Sequence, residues 1–123
     1  LGPARFAGSL AFCFCKLEKG VVLSDTFKIF VSLPMRGLSV EDIRSRQEAL
    51  FAQFALPDWE LMDTVIEDPN AEPGNDLWYL GRSIQLLGNA DAVIFANDWR
   101  SARGCVIEHL VVTSYGIPAL YEE

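Results

Sequence analysis

Basic residues are scarce in this chain: ten Lys and Arg face seventeen Asp and Glu, a net charge of −7. An acidic chain has no general attraction for phosphate backbones, so a nucleic-acid polymer is not expected as a partner. A small anion remains open, because a few placed donors suffice to hold one. Histidine is scarcer still. His109 stands alone, without a Cys or His cluster beside it, so no metal and no cofactor is expected. The three cysteines are an odd set. Cys13 and Cys15 form C-x-C, which fits neither redox C-x-x-C spacing nor a zinc quartet. A reduced, cytoplasmic protein is the simplest reading. Long apolar runs are missing too. The longest, Phe6 to Cys15, is interrupted by Gly8 and Ser9 and is about half the ~20 residues a spanning helix needs, so no membrane partner is expected. Arg5 in front of it recreates part of a signal peptide, without a clean cleavage site. Neither G-x-x-x-x-G-K nor G-x-G-x-x-G occurs, which removes the P-loop and the dinucleotide fingerprint.

What is present is one domain's worth of apolar material. The chain has 123 residues, half of them hydrophobic, and at this length roughly two-thirds of the surface can be buried on folding. Residues 1–27 differ from the rest: Gly at 2, 8 and 20, no helical period, and strand-like runs at Leu10–Cys15 and Val21–Leu23. They read as a hairpin, an assembly arm or an added leader. They also carry a net +1, against −8 for residues 28–123.

From Lys28 onward the pattern alternates regularly. Lys28–Leu33 is nearly all apolar, as a strand buried on both faces requires. Ser39, with Asp42 three positions on, opens a helix running to about Ala55, and Pro57 ends it. Trp59–Val65 reads as a second strand, Asp76–Leu87 as a helix, Asp91–Ala96 as a third strand, Cys105–Tyr115 as a helix closed by Gly116, and Ile117–Tyr121 as a last strand. Pro118 places that strand at an edge. The order β-α-β-α-β-α-β predicts an α/β fold, a flavodoxin-like or Rossmann-like three-layer sandwich on a mostly parallel sheet of four or five strands.

Such sheets bind ligands beyond the carboxyl ends of the strands, at the switch point. Three loops qualify: Ser32–Gly37, Asp63–Asp76 and Asn97–Gly104. In the first, free backbone N–H groups, Met35, the guanidinium of Arg36 and the permissive Gly37 suit an anion. Glu108 lies one turn past Gly104, where a helical side chain leans back toward the cleft. A carboxylate there suits attack on a sugar carbon. Asp63 and Asp98 are candidate acids or sugar ligands, and Tyr79 a candidate for stacking on a base.

Together KIFVSLPMRG, LWYLGRSIQLLGNADAVIFA and NDWRSARGCVIEHLVVTSYGI resemble the nucleoside 2-deoxyribosyltransferase-like proteins over residues 28–123, and in particular their small bacterial and phage group. The resemblance implies a flavodoxin-like fold and work on the N-glycosidic bond of a (deoxy)nucleoside or its monophosphate. It implies Glu108 as the nucleophile in a retaining mechanism, the Ser32–Gly37 loop as the phosphate cradle, Ser101, Arg103 and Gly104 as further phosphate contacts, and a homodimer or larger assembly. Two positions depart from the family pattern. Ser83 stands where the family has an aspartate that assists the leaving base, and Phe30 where it has Tyr. Either Asp63 or Asp98 replaces the missing acid, or the chain is a non-catalytic nucleotide-binding or signal-sequestering module.

Overall fold

The computed structural model describes residues 26–66 and 74–123. The strand-like runs at Leu10–Cys15 and Val21–Leu23 lie outside the described residues, as does the middle of the Asp63–Asp76 loop. The element order is β1 (Phe27–Ser32), α1 (Val40–Phe54), β2 (Trp59–Leu61), α2 (Asp76–Leu87), β3 (Ala92–Phe95), a single 3-10 turn (Trp99–Ser101), α3 (Arg103–Tyr115) and β4 (Ala119–Tyr121). The four strands form one parallel sheet in the order β2-β1-β3-β4. This is the α/β three-layer arrangement that the alternation predicts. Among the described residues no helix is long and apolar enough to cross a membrane, and no group of three or more His, Cys, Asp or Glu is placed to hold a metal.

The period-2 alternation of β1 assigns the two faces. Ile29, Val31 and Leu33 pack with Leu50 and Phe54 of α1. Phe30 points the other way, into the core shared with Leu87 of α2 and Cys105 and Val112 of α3. Each fully buried large apolar side chain contributes about 1.5–3 kcal/mol. The chain leaves β1 for α1 on one face and leaves β3 for α3 on the other. The crevice where the two paths diverge lies above Ser32 and Phe95, which are register partners.

Local signals set the helix ends. Ser39 Oγ accepts the N–H of Asp42 at 3.1 Å, and Asn75 Oδ1 accepts that of Trp78 at 3.0 Å. Gly116, at φ 70°, ends α3 in the left-handed conformation that glycine adopts without strain.

β2 is shorter than the apolar pattern predicts. After Leu61 the chain turns inward, and Thr64 accepts a buried hydrogen bond from Gln47 Nε2 of α1 at 2.9 Å. Both groups are about 2% exposed. Thr64→Val leaves the Gln47 amide without this partner and is expected to cost about 1–3 kcal/mol, read as a lower midpoint in urea unfolding.

Candidate functional site

Ser32 ends β1 with its side chain turned toward the α2–α3 layer. Glu108 lies in the second turn of α3 and faces the same gap. Ser32 Oγ donates to Glu108 Oε1 at 2.7 Å, and the two residues are 1% and 7% exposed. Ser83 of α2 lies beside the same carboxyl. Burial pushes the Glu108 acid above its ordinary 4.5, and the Ser32 and Ser83 hydroxyls oppose the rise. Three sequence candidates, Ser32, Ser83 and Glu108, therefore meet around one buried carboxyl group at the switch point.

Cys105 sits one turn before Glu108 and is buried. Its thiol is pushed up to about 11, first by burial and then by the neighbouring Glu108 and Asp98, against its interaction with Ser32 and the charge of Arg46. The thiolate is the reactive species. A chain with Cys13 and Cys15 replaced by Ser is therefore expected to resist a thiol reagent at pH 7.5 and to react only on unfolding. Rapid native-state labelling would contradict this.

The rim is cationic and engaged. Arg36 of the first loop and Arg103 at the start of α3 both reach Asp76 at the start of α2, at 4.0 and 3.3 Å. All three side chains are more than two-thirds exposed, so these contacts exchange readily with solvent ions. They place both guanidinium groups beside one point where an anionic oxygen already sits. Gly37, at φ 81°, turns the first loop there.

Asp63 and Asp98 both meet arginines of α1, and Asp98 also stands close enough to Cys105 for its charge to act on the thiol. Asp63 is exposed, 3.5 Å from Arg44, and Asp98 is 2.8 Å from Arg46. Both arginines belong to α1, on the opposite face of the sheet from Glu108. Met35 is half-buried against the α1-side core. Tyr79 is half-buried and edge-on to Trp78, with centroids 5.0 Å apart. Ser101 is exposed, and its hydroxyl donates to the Asp98 carbonyl at 2.7 Å. Gly104, in the first turn of α3, has open space where a Cβ would stand.

The sequence reading missed two features. Nothing singled out Asp76, because an exposed carboxylate at a helix start is common on any helix. The lone histidine was also set aside. His109 stacks on Trp99 at 4.1 Å, and its Nε2 lies 2.8 Å from Tyr121 Oη. Arg100 covers the other part of Trp99 at 4.6 Å. Burial, then the Arg100 charge, holds His109 below its ordinary 6.5. Its neutral form is thus favoured by folding. That stability is present above pH 6.5 and is lost as pH falls below it toward the folded value. Between pH 7.5 and 5.5 the wild-type unfolding midpoint is expected to fall relative to that of His109→Gln; parallel curves would refute the linkage.

Comparison of the chain with protein-family models, with curated proteins and with solved structures finds no match in any of the three.

Proposed function

We propose that the protein binds a (deoxy)nucleoside 5′-monophosphate above β1 and β3 and cleaves or transfers at its N-glycosidic bond, with Glu108 as nucleophile. The observation that carries this reading is the buried Ser32–Glu108 pair at the switch point. A carboxylate in a water-poor gap, fixed by hydroxyl donors, is oriented for in-line attack on an anomeric carbon. Arg36 and Arg103 supply the phosphate grip, with Ser101 and the backbone N–H groups of the first loop. The family resemblance points to the same roles. Charge-assisted hydrogen bonds are worth about 1.5–3 kcal/mol, so Arg36→Ala is expected to weaken nucleoside monophosphate binding by roughly tenfold or more in calorimetry. Unchanged affinity would remove Arg36 from the site. Turnover is tested by base release across a panel of ribo- and deoxynucleoside monophosphates.

A second reading, binding without turnover, is favoured by the burial of Glu108, which disfavours its charged form. Binding that depends on Arg36 with no base released from any nucleotide would establish it.

We also assign a homodimer through the outer face of α2 and α3. Leu77, Leu110 and Tyr115 are 78%, 64% and 80% exposed there. A groove of about 460 Å³ lies between the helices, lined by Ile84, Leu87, Val111, Tyr115 and Ile117 among others. Besides the buried Glu108, these two helices carry only Asp76, Arg82 and Arg103 as charged residues. A second copy therefore docks there with few like charges opposed, despite the acidic surface elsewhere. Sedimentation is expected to show a dimer that Leu110→Glu dissociates. The free thiol of Cys105 is in keeping with a reducing, cytoplasmic setting.

A further inference from the structure

We propose that the substrate carries its positive charge on the leaving base: an N-glycoside of a quaternised ring nitrogen, such as a pyridinium or N7-alkylpurinium nucleoside 5′-monophosphate. This rests on the reading of Glu108 as nucleophile and narrows its substrate class.

Two observations carry the inference. The first is that, among the described residues, no second carboxyl group contacts Glu108. Glycosidic cleavage ordinarily uses one carboxyl group to attack and another to protonate the leaving group. Here the groups beside the Glu108 carboxyl are the hydroxyls of Ser32, at 2.7 Å, and Ser83, which do not act as acids at neutral pH. Among the described residues, the other carboxylates along this edge are occupied elsewhere. Asp63 pairs with Arg44, and Asp98, whose charge reaches Cys105, is held by Arg46 at 2.8 Å. Asp76 lies on the rim between Arg36 and Arg103, and Glu122 accepts the Asn97 N–H. A base that leaves without being protonated needs none of them.

The second observation is a missing countercharge. Glu108 is 7% exposed and, among the described residues, meets only neutral hydroxyls, while Arg36, Arg46 and Arg103 sit on other acids. A buried carboxylate without a cation is costly. A cationic ring nitrogen bonded to C1′ brings the positive charge next to Glu108 and favours the ionised, nucleophilic form in the complex. In the free protein, burial disfavours that form.

The step balances without an acid. A Glu108 oxygen bonds to C1′ as the C1′–N bond breaks. Its electron pair returns to the ring nitrogen, which loses its positive charge, and the neutral base departs. Water then adds to C1′, freeing Glu108 as carboxylate and releasing one proton to solvent.

The test measures base release by the full chain from nicotinamide mononucleotide and N7-methylguanosine 5′-monophosphate, against GMP, dAMP and dCMP. Glu108→Gln is run alongside to subtract spontaneous hydrolysis. General acids contribute roughly 10²–10⁴-fold, so kcat/KM is expected to favour the cationic pair by at least about 100-fold. Ser83→Asp is expected to narrow that ratio. Neutral-base nucleotides cleaved as fast as cationic ones would overturn the inference and leave the glycosidase reading intact. No Glu108-dependent release from any of them would overturn both.

Discussion

Glu108→Gln is expected to lower base release by at least about a thousandfold, in line with the loss of other catalytic nucleophiles, while the fold persists. The amide keeps an acceptor for Ser32 and nearly the same volume, so the 2.7 Å hydrogen bond has a counterpart in the variant. What is lost is an oxygen able to bond to carbon. The same variant reports on the buried acid through stability. Because folding raises the Glu108 value above 4.5, the folded state binds its proton more tightly than the unfolded state. The resulting stability is fully present below about pH 4.5 and is lost as pH rises through the folded value. Urea midpoints of wild type are therefore expected to fall relative to Glu108→Gln as pH rises from 4.5 toward neutrality. If the two chains track each other across that range, Glu108 is not the buried acid described above.

The largest stability loss is expected from Phe95→Ala. Phe95 ends β3 fully buried. It contacts Trp99, His109 and Tyr121, with ring centroids 5.5, 5.0 and 5.7 Å away. Truncation leaves a cavity where the 3-10 turn, α3 and β4 meet, at a cost of about 3–5 kcal/mol. Against a total stability of about 5–15 kcal/mol, that removes a large fraction. For a domain near this size the Tm is expected to drop by at least about 12 °C. Phe95 is also the register partner of Ser32, so the surviving folded fraction is expected to bind nucleotide more weakly. A drop of only a few degrees would mean that the aromatic cluster is not a structural hub.

Much of this architecture was legible because it follows from local patterns. The apolar run of β1, the Ser39 cap and the Pro57 stop place β1 and α1 to within a residue or two. Pro118 places β4 at the edge, where its missing N–H costs no ladder bond. β2 was read too long because Met62 to Val65 look strand-like, while the inward turn depends on a tertiary partner, Gln47. The site was legible in position rather than in contacts. Glu108 follows from helical spacing and Ser32 from strand phase. That Ser83 of α2 comes to lie beside Glu108 depends on how α2 packs against α3, which no spacing rule encodes. The strand-end positions of Asp63 and Asp98 suggest cleft acids; that each also meets an arginine projecting from α1 is decided by packing.

The most direct measurement is the mass of the protein after incubation with 2′-fluoro-2′-deoxynucleoside 5′-monophosphates bearing neutral and cationic bases. The fluorine slows breakdown of a glycosyl-enzyme by destabilising its oxocarbenium-like transition state. The proposed mechanism predicts a fluorodeoxyribose-phosphate adduct on the peptide containing Glu108, formed faster from the cationic-base probe and absent in Glu108→Gln. An adduct on another residue, or an unmodified chain after every probe, would contradict the assignment of Glu108 as the nucleophile.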